Sequence, residues 1–344
     1  MPVPFCRNET FASNSEENQI FTLFKYYPAN FTYRRQIGCG VRGMFRKILF
    51  ATDFSDYAKK ILDCIAGFPG THEIILLHIL EEARSPRGGG EIAEVLSQNQ
   101  RTILRKEKQQ VETLAKNIKV TAVVKTSSDI AGTILETAEA EGVSFIVVGA
   151  RGNSLVEGIL LGSVSMAVLR RSTINVLIMR HRIVGSQAGK TFEMACPMIL
   201  SRVLCPVDFS RFSNQAIDLI KTTKGVGEII LFHVVSQGET EFEIEEATEA
   251  AKIQTESLAR MLTAEGIRVR TIVKKGNPGI EISKIADEED VSVIWISSHG
   301  KGWFRELLLG STAYTVAMNA MKPVIIIRHP LQEGNRDNSL WTSS

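Results

Sequence analysis

Two stretches carry the residues whose types and spacing could do chemistry. The first, Phe145 to Val164, reads FIVVGARGNSLVEGILLGSV: an apolar run stops at Gly149, Gly152 follows after two residues, and nine residues separate Gly152 from Gly162-Ser163. Glycine at 149 and 152 removes the Cβ atoms that would hold a ligand off the backbone and permits positive φ. Gly162-Ser163 offers backbone N–H groups and a hydroxyl where apolar residues at helical spacing (Val164, Ala167, Val168) take over, and unpaired N–H groups at a helix start suit an anion. The second stretch, residues 294–312, repeats the pattern with Gly300, nine residues, then Gly310-Ser311, and with Ser297 where the first glycine would stand. Each predicts a phosphate cradle: binding chemistry rather than bond breaking.

The composition excludes several other classes. A chain of 344 residues with 44% hydrophobic content suggests about two ordinary domains. A net charge of +2 without a long one-sign block gives no reason to expect nucleic acid or membrane as the partner. The five cysteines (Cys6, Cys39, Cys64, Cys196, Cys205) lack any C-x-x-C pair, so neither a disulfide framework nor a zinc ribbon is indicated, and a reducing cytoplasm fits best. The six histidines show no metal-ligand spacing, and no apolar run reaches the eighteen or so residues of a membrane span.

The elements that must position the cradles begin near Arg46. Residues 1–43 mix aromatics with polar residues without a sustained period and read as a poorly ordered extension; Met44, just before the first strand, is an alternative start. KILFAT (47–52) is a strand ending at Asp53, Ser55 is an N-cap, and Tyr57, Ala58, Ile61, Leu62 and Ile65 have helical spacing. Strand 73–80, a long amphipathic helix over about 91–117, strand 120–125, helix 129–141, strand 144–149, a helix over about 162–171 and strand 175–180 follow. Strands alternating with helices, each strand apolar on both faces, predict a doubly wound α/β domain with a parallel sheet.

The series then recurs. RVLCPVDFSRFSNQAIDLI (202–220) matches KILFATDFSDYAKKILDCI (47–65) and places Asp208 on Asp53, while GEIILFHVV (227–235) places His233 on His78. Helix 240–264, strand 269–274, helix 279–289, strand 291–297 and strand 324–328 complete it. The organisation read from this is extension 1–43, domain 44–182, linker 183–200, domain 201–330 and tail 331–344.

Both halves resemble universal stress protein domains, in the ILxxxDFS-type first strand, the E-I-I-L-x-H second strand and the G-x-x-G, nine residues, G-[S/T] signature. The resemblance implies five parallel strands in the order 3-2-1-4-5, twice, forming a pseudo-dimer whose fifth, edge strands pair antiparallel. In the ATP-binding branch it implies ATP or another adenine nucleotide, with Mg²⁺, at the carboxyl ends of the strands, where ligands of open α/β sheets sit. Carried over residue by residue, it names Thr52, Asp53, Ile79, Gly149, Gly152, Gly162, Ser163 and Val164 in the first half, to which Arg151 could add charge. In the second half it names Val207, Asp208, Val234, Gly300, Gly310, Ser311 and Thr312, with Ser297 departing from the pattern; its Cβ and hydroxyl stand where the ribose could need space, which favours the first half as the binder.

Other roles stand beside these. Asp53 and Asp208 could cap the helices that follow, His78 and His233 read as structural side chains, His299 could touch phosphate, and Glu243, Glu245 and Glu246 read as a solvated helix face. Three functions remain: a nucleotide-binding stress or signalling module with an unknown protein partner, a slow ATPase or phosphotransferase, and a protein-contact scaffold. No Lys-bearing Walker loop or catalytic-loop Asp/Asn pattern supports the enzyme. The exposed fifth strands also allow a higher homo-oligomer.

Overall fold

The computed structural model describes residues 44–82, 90–150, 161–180, 182–184, 191–193, 198–236, 240–301 and 309–329. Arg151, Gly152 and the expected extension and tail lie outside them.

The first half runs β1 (Lys47–Ala51), α1 (Asp56–Ala66), β2 (Glu73–Glu81), α2 (Gly90–Leu114), β3 (Lys119–Ser127), α3 (Ile130–Ala140), β4 (Phe145–Gly149), α4 (Ser163–Arg171) and β5 (Asn175–Met179). Two short strands follow, β6 (Arg182–Val184) and β7 (Thr191–Glu193). The second half runs β8 (Arg202–Pro206), α5 (Arg211–Lys221), β9 (Glu228–Val235), α6 (Glu241–Ala264), β10 (Arg268–Lys275), α7 (Pro278–Glu288), β11 (Val293–Ser297), α8 (Ser311–Asn319) and β12 (Val324–Ile327).

Ten strands form one sheet in the order β10-β9-β8-β11-β12-β5-β4-β1-β2-β3. Each half thus has the expected order 3-2-1-4-5. Pairing is parallel within the halves and antiparallel at their junction, where Val324 faces Ile178, Ile325 faces Leu177 and Ile326 faces Val176. All six side chains are buried, and full burial of such an aliphatic group is worth about 1.5–3 kcal/mol. Burial on both faces explains why these strands are apolar runs rather than alternating ones.

Two apolar layers cover the sheet, and each runs through both halves. One contains Ile61 and Leu62 of α1, Leu104 and Val111 of α2, and Ile217 of α5; the other contains Ile134 of α3, Val168 of α4, Ile282 of α7 and Val316 of α8. Trp295, fully buried in β11, donates from Nε1 to the Ala216 carbonyl at 3.0 Å.

Two expectations change. The segment read as a plain linker contains the antiparallel pair β6–β7, with Ile183 opposite Phe192. Short β-branched and aromatic runs flanking a Gly-Ser step are a hairpin signal that the Gly/Ser content of the segment masks. Cys64 is disulfide-bonded, where the sparse, odd-numbered cysteines indicated no disulfide framework, whereas Cys205 is a free thiol that burial pushes up to about 12.

Candidate functional site

Each half places its cradle at the crevice where β1 and β4, or β8 and β11, part at their carboxyl ends. After β1 the chain turns through Asp53, Phe54 and Ser55. Asp53 Oδ1 accepts from Ser55 N at 3.1 Å and Ser55 Oγ at 2.6 Å, while Ser55 Oγ caps α1 by accepting from Ala58 N. The second half repeats this: Asp208 Oδ1 accepts from Ser210 N at 3.0 Å, and Ser210 caps α5. The serines are therefore the caps. The aspartates build the turn before them, which leaves the carboxylates facing the crevice.

The residue between them is held in the left-handed region, Phe54 at φ 62° and Phe209 at φ 60°. Such a backbone costs a bulky residue on the order of 1 kcal/mol or more. It is held from the side: Phe54 stacks on His78 with ring centroids 4.0 Å apart, and Phe209 on His233 at 4.6 Å. Each histidine in turn donates from Nδ1 to the carbonyl before the aspartate, His78 to Thr52 at 2.9 Å and His233 to Val207 at 2.7 Å. Burial, the largest influence, lowers both imidazole pKa values, and these carbonyl bonds oppose it. The structural reading of both histidines agrees with these contacts, and the left-handed phenylalanines were missed; the repeated Asp-Phe-Ser was their signal.

Opposite the turn lies a helix start. Gly162 N donates to the Ala150 carbonyl and Gly310 N to the Ser298 carbonyl, both at 2.7 Å, tying each helix to the end of the neighbouring strand. Gly162 and Gly310 are the N-caps of α4 and α8 and bring no side-chain cap, so the first-turn N–H groups stay available to an anion. These glycines sit at φ −70°, not at positive φ. In the second half the glycines give clearance: a Cβ at Gly310 would come to 3.2 Å from the Ser298 carbonyl oxygen, and one at Gly300 to 2.5 Å from Asp208 Oδ2, whereas one at Gly162 would make an ordinary 3.5 Å contact with the Ala150 carbonyl oxygen.

In the second half a cavity of about 840 Å³ joins these parts. Val207, Asp208, Val234, Ser297, Gly300, Gly310, Ser311 and Thr312 all line it. The size lies within the range of small-molecule pockets. Ser297, whose Cβ and hydroxyl were expected to stand where the ribose needs space, lines the cavity at the end of β11. Its backbone is that of β11, and its hydroxyl is engaged by the protein, donating to the His299 carbonyl at 2.8 Å and accepting from His329 Nε2 at 2.8 Å. Burial, with the His299, Arg211 and Arg328 charges, pushes the His329 pKa down to about 3, so this ring is neutral. His299 also lines the cavity and pairs through Nδ1 with Ser298 Oγ at 2.8 Å.

Lys301, which the sequence reading passed over, lines the same cavity. Its N–H donates to Asp208 Oδ2 at 2.8 Å, and its ammonium lies 5.7 Å from the centre of the Phe209 ring. A basic residue directly after the loop glycine was the available signal.

In the first half Thr52 is buried, Asp53, Ile79, Gly149, Gly162 and Val164 are half-buried, and Ser163 is exposed at the start of α4. Arg151 and Gly152, the middle of that glycine loop, lie outside the described residues. One group there has no counterpart in the sequence reading: Glu107 of α2, 3% exposed, faces Thr52. The glutamates of α6 behave as read, with Glu243, Glu245 and Glu246 exposed and Glu243 closing a capping box with Thr240.

Among the described residues no helix is long and apolar enough to cross a membrane. The sequence model of the universal stress protein family matches residues 44–180 and 200–328. Universal stress protein MJ0577 of Methanocaldococcus jannaschii is 32% identical over 156 residues, 38% of this chain and 96% of its own. Universal stress protein YxiE of Bacillus subtilis is 34% identical over 148 residues, 40% of this chain and all of its own. Among solved structures, a universal stress protein from Archaeoglobus fulgidus aligns over 84% of this chain and 98% of its own, with a TM-score of 0.62 and 25% identity. With both halves matched, the chain belongs to the universal stress protein family.

Proposed function

We propose that the chain is an adenine-nucleotide-binding stress-response or signalling module, taking ATP with Mg²⁺, without a strong catalytic apparatus of its own. Its binding units are the halves 44–182 and 201–330, it works in the cytoplasm, and an unknown protein partner reads its state. The observation that carries this is the doubled pairing of an Asp-Phe-Ser turn with a helix start, spanned in the second half by a cavity of nucleotide size. The aspartate can accept from ribose hydroxyls or adenine's amino group. First-turn N–H groups, Ser163, Ser311 and Lys301 suit phosphates, and Arg151 and Gly152 are proposed to close the first cradle. The metal would be held chiefly by the nucleotide's phosphates, since among the described residues no group of three His, Cys, Asp or Glu could hold one.

Calorimetric titration of Mg-ATP into the full chain, beside Gly162→Val and Gly310→Val, tests this. Two sites, each lost with its own variant, are expected. Absence of binding at millimolar nucleotide would overturn the reading, and phosphate release above that of a Gly162→Val, Gly310→Val double variant would make it an enzyme.

A further inference from the structure

Glu107 is a charged side chain in the wrong place for a solvated helix face. It is 3% exposed, and Thr52 Oγ1 donates to its Oε1 at 3.4 Å. Its Oε2 is buried without a hydrogen-bond partner among the described residues. Leaving a buried carboxylate oxygen unpaired is costly, and such groups in structures call for a reason. Thr52 Oγ1 also accepts from Phe54 N at 3.2 Å, so the hydroxyl that meets Glu107 is the one that fixes the strained turn behind Asp53.

The second half has neither partner. Val207 stands in place of Thr52, and the buried polar residue on α6 is Thr255, already satisfied by donating to the Ala251 carbonyl at 2.6 Å. The device therefore distinguishes the first half's Asp-Phe-Ser turn from the second's.

We propose that Glu107 is a positioning residue of the first nucleotide pocket, holding Thr52 and the turn that presents Asp53, and that its proton gives this half a pH-dependent affinity which the second half lacks. The inference rests on the nucleotide reading above. Two charged groups act on Glu107: Lys59 from α1 and Asp53 beyond β1. Leu104 and Val111, its neighbours one turn away on α2, belong to the apolar layer, as do Val120, Ala122 and Val124 of β3. Burial, the largest influence, pushes the Glu107 carboxyl up to about 7; Thr52 and Lys59 oppose this and Asp53 adds to it. Protonated, Glu107 leaves Asp53 as the sole negative charge of the turn. Ionised, it sets a second carboxylate beside Asp53, and an anionic ligand meets more negative charge. An anionic nucleotide thus favours the protonated form, and affinity falls as pH rises through 7.

The test is titration of Mg-ATP into the full chain carrying Gly310→Val, so that the first half alone reports, at pH 6 and pH 8, with and without Glu107→Gln. The nucleotide's own titration is common to both proteins, so the difference between them is what counts. The parent should lose about fivefold more affinity over this range than Glu107→Gln, as a ligand-induced pKa rise of about one unit would give. Thr52→Val, which removes the hydrogen bond but leaves the carboxyl to titrate, should keep that extra response and weaken binding at both pH values, as loss of the positioning link would. Equal pH responses in the parent and Glu107→Gln, or an unchanged affinity in Thr52→Val, would overturn the proposal while leaving nucleotide binding intact. A parent that binds at neither pH would overturn the nucleotide reading, and this inference with it.

Discussion

Arg180 and Arg328 reach across the junction of the two halves in opposite directions, each donating from Nη2 to a backbone carbonyl near the end of the other half's cradle helix. Arg180 meets the Ala317 carbonyl of α8 and Arg328 the Leu169 carbonyl of α4. Both arginines follow an edge strand, at positions 180 after β5 and 328 after β12, and both are buried. Burial lowers the Arg328 pKa to about 10, so the guanidinium still carries its charge at neutral pH and suits the negative end of the helix dipole. Arg170 adds to the junction by donating to the Tyr314 hydroxyl at 3.2 Å.

Replacing Arg328 with Met removes the donor and leaves a buried carbonyl short of a partner. Such losses cost about 1–3 kcal/mol. Urea denaturation should show a lowered midpoint for Arg328→Met, and a midpoint equal to the parent's would mean that the crossing bond contributes nothing net.

Gly300→Ala places a methyl group where 2.5 Å separates it from Asp208 Oδ2, so the carboxylate must move. Second-half nucleotide affinity should fall at least tenfold, the equivalent of about 1.4 kcal/mol, with first-half affinity unchanged. Calorimetry with both sites intact reads the two together.

Phe54→Gly exchanges opposing terms. It relieves left-handed strain of roughly 1 kcal/mol but forfeits a ring stack of about 0.5–1.5 kcal/mol and the burial of a half-buried ring packed against the core, about 1–2 kcal/mol more, so the melting temperature should fall by several degrees. Affinity in the first half should drop because the turn loses its side support. An unchanged first-half affinity would show that the ring matters for stability rather than for the shape of the turn.

Glu107 also links pH to folding. Its folded pKa of about 7 lies above the ordinary value of 4.5, so the folded state binds the proton more tightly than the unfolded one. The associated stability is fully present below pH 4.5 and is lost as pH rises to about 7, on the order of 3 kcal/mol in all. Glu107→Gln should flatten that part of the stability profile, as chemical denaturation at a series of pH values would reveal. An unchanged slope would place the proton elsewhere.

The sequence by itself determined the element order and the duplication, because apolar runs, helical spacing and the twice-used Asp-Phe-Ser and Gly-Ser signatures are local patterns, while the pairing of the fifth strands was implied by the family resemblance those motifs carry. It also placed Asp208, Gly300, Gly310 and Ser311 around one site, since their motifs fix them at strand and helix ends. What only the tertiary structure decided rests on contacts between distant parts of the chain. Glu107 reads in sequence as one more charge on a long amphipathic helix, and only the packing of α2 over β1 buries it against Thr52, 55 residues away. The arginine crossing joins residues 137 and 159 positions apart, a partnership no local pattern encodes. The left-handed Phe54 is likewise set by the stack on His78 and the hydroxyl of Thr52, since a lone phenylalanine would avoid that backbone.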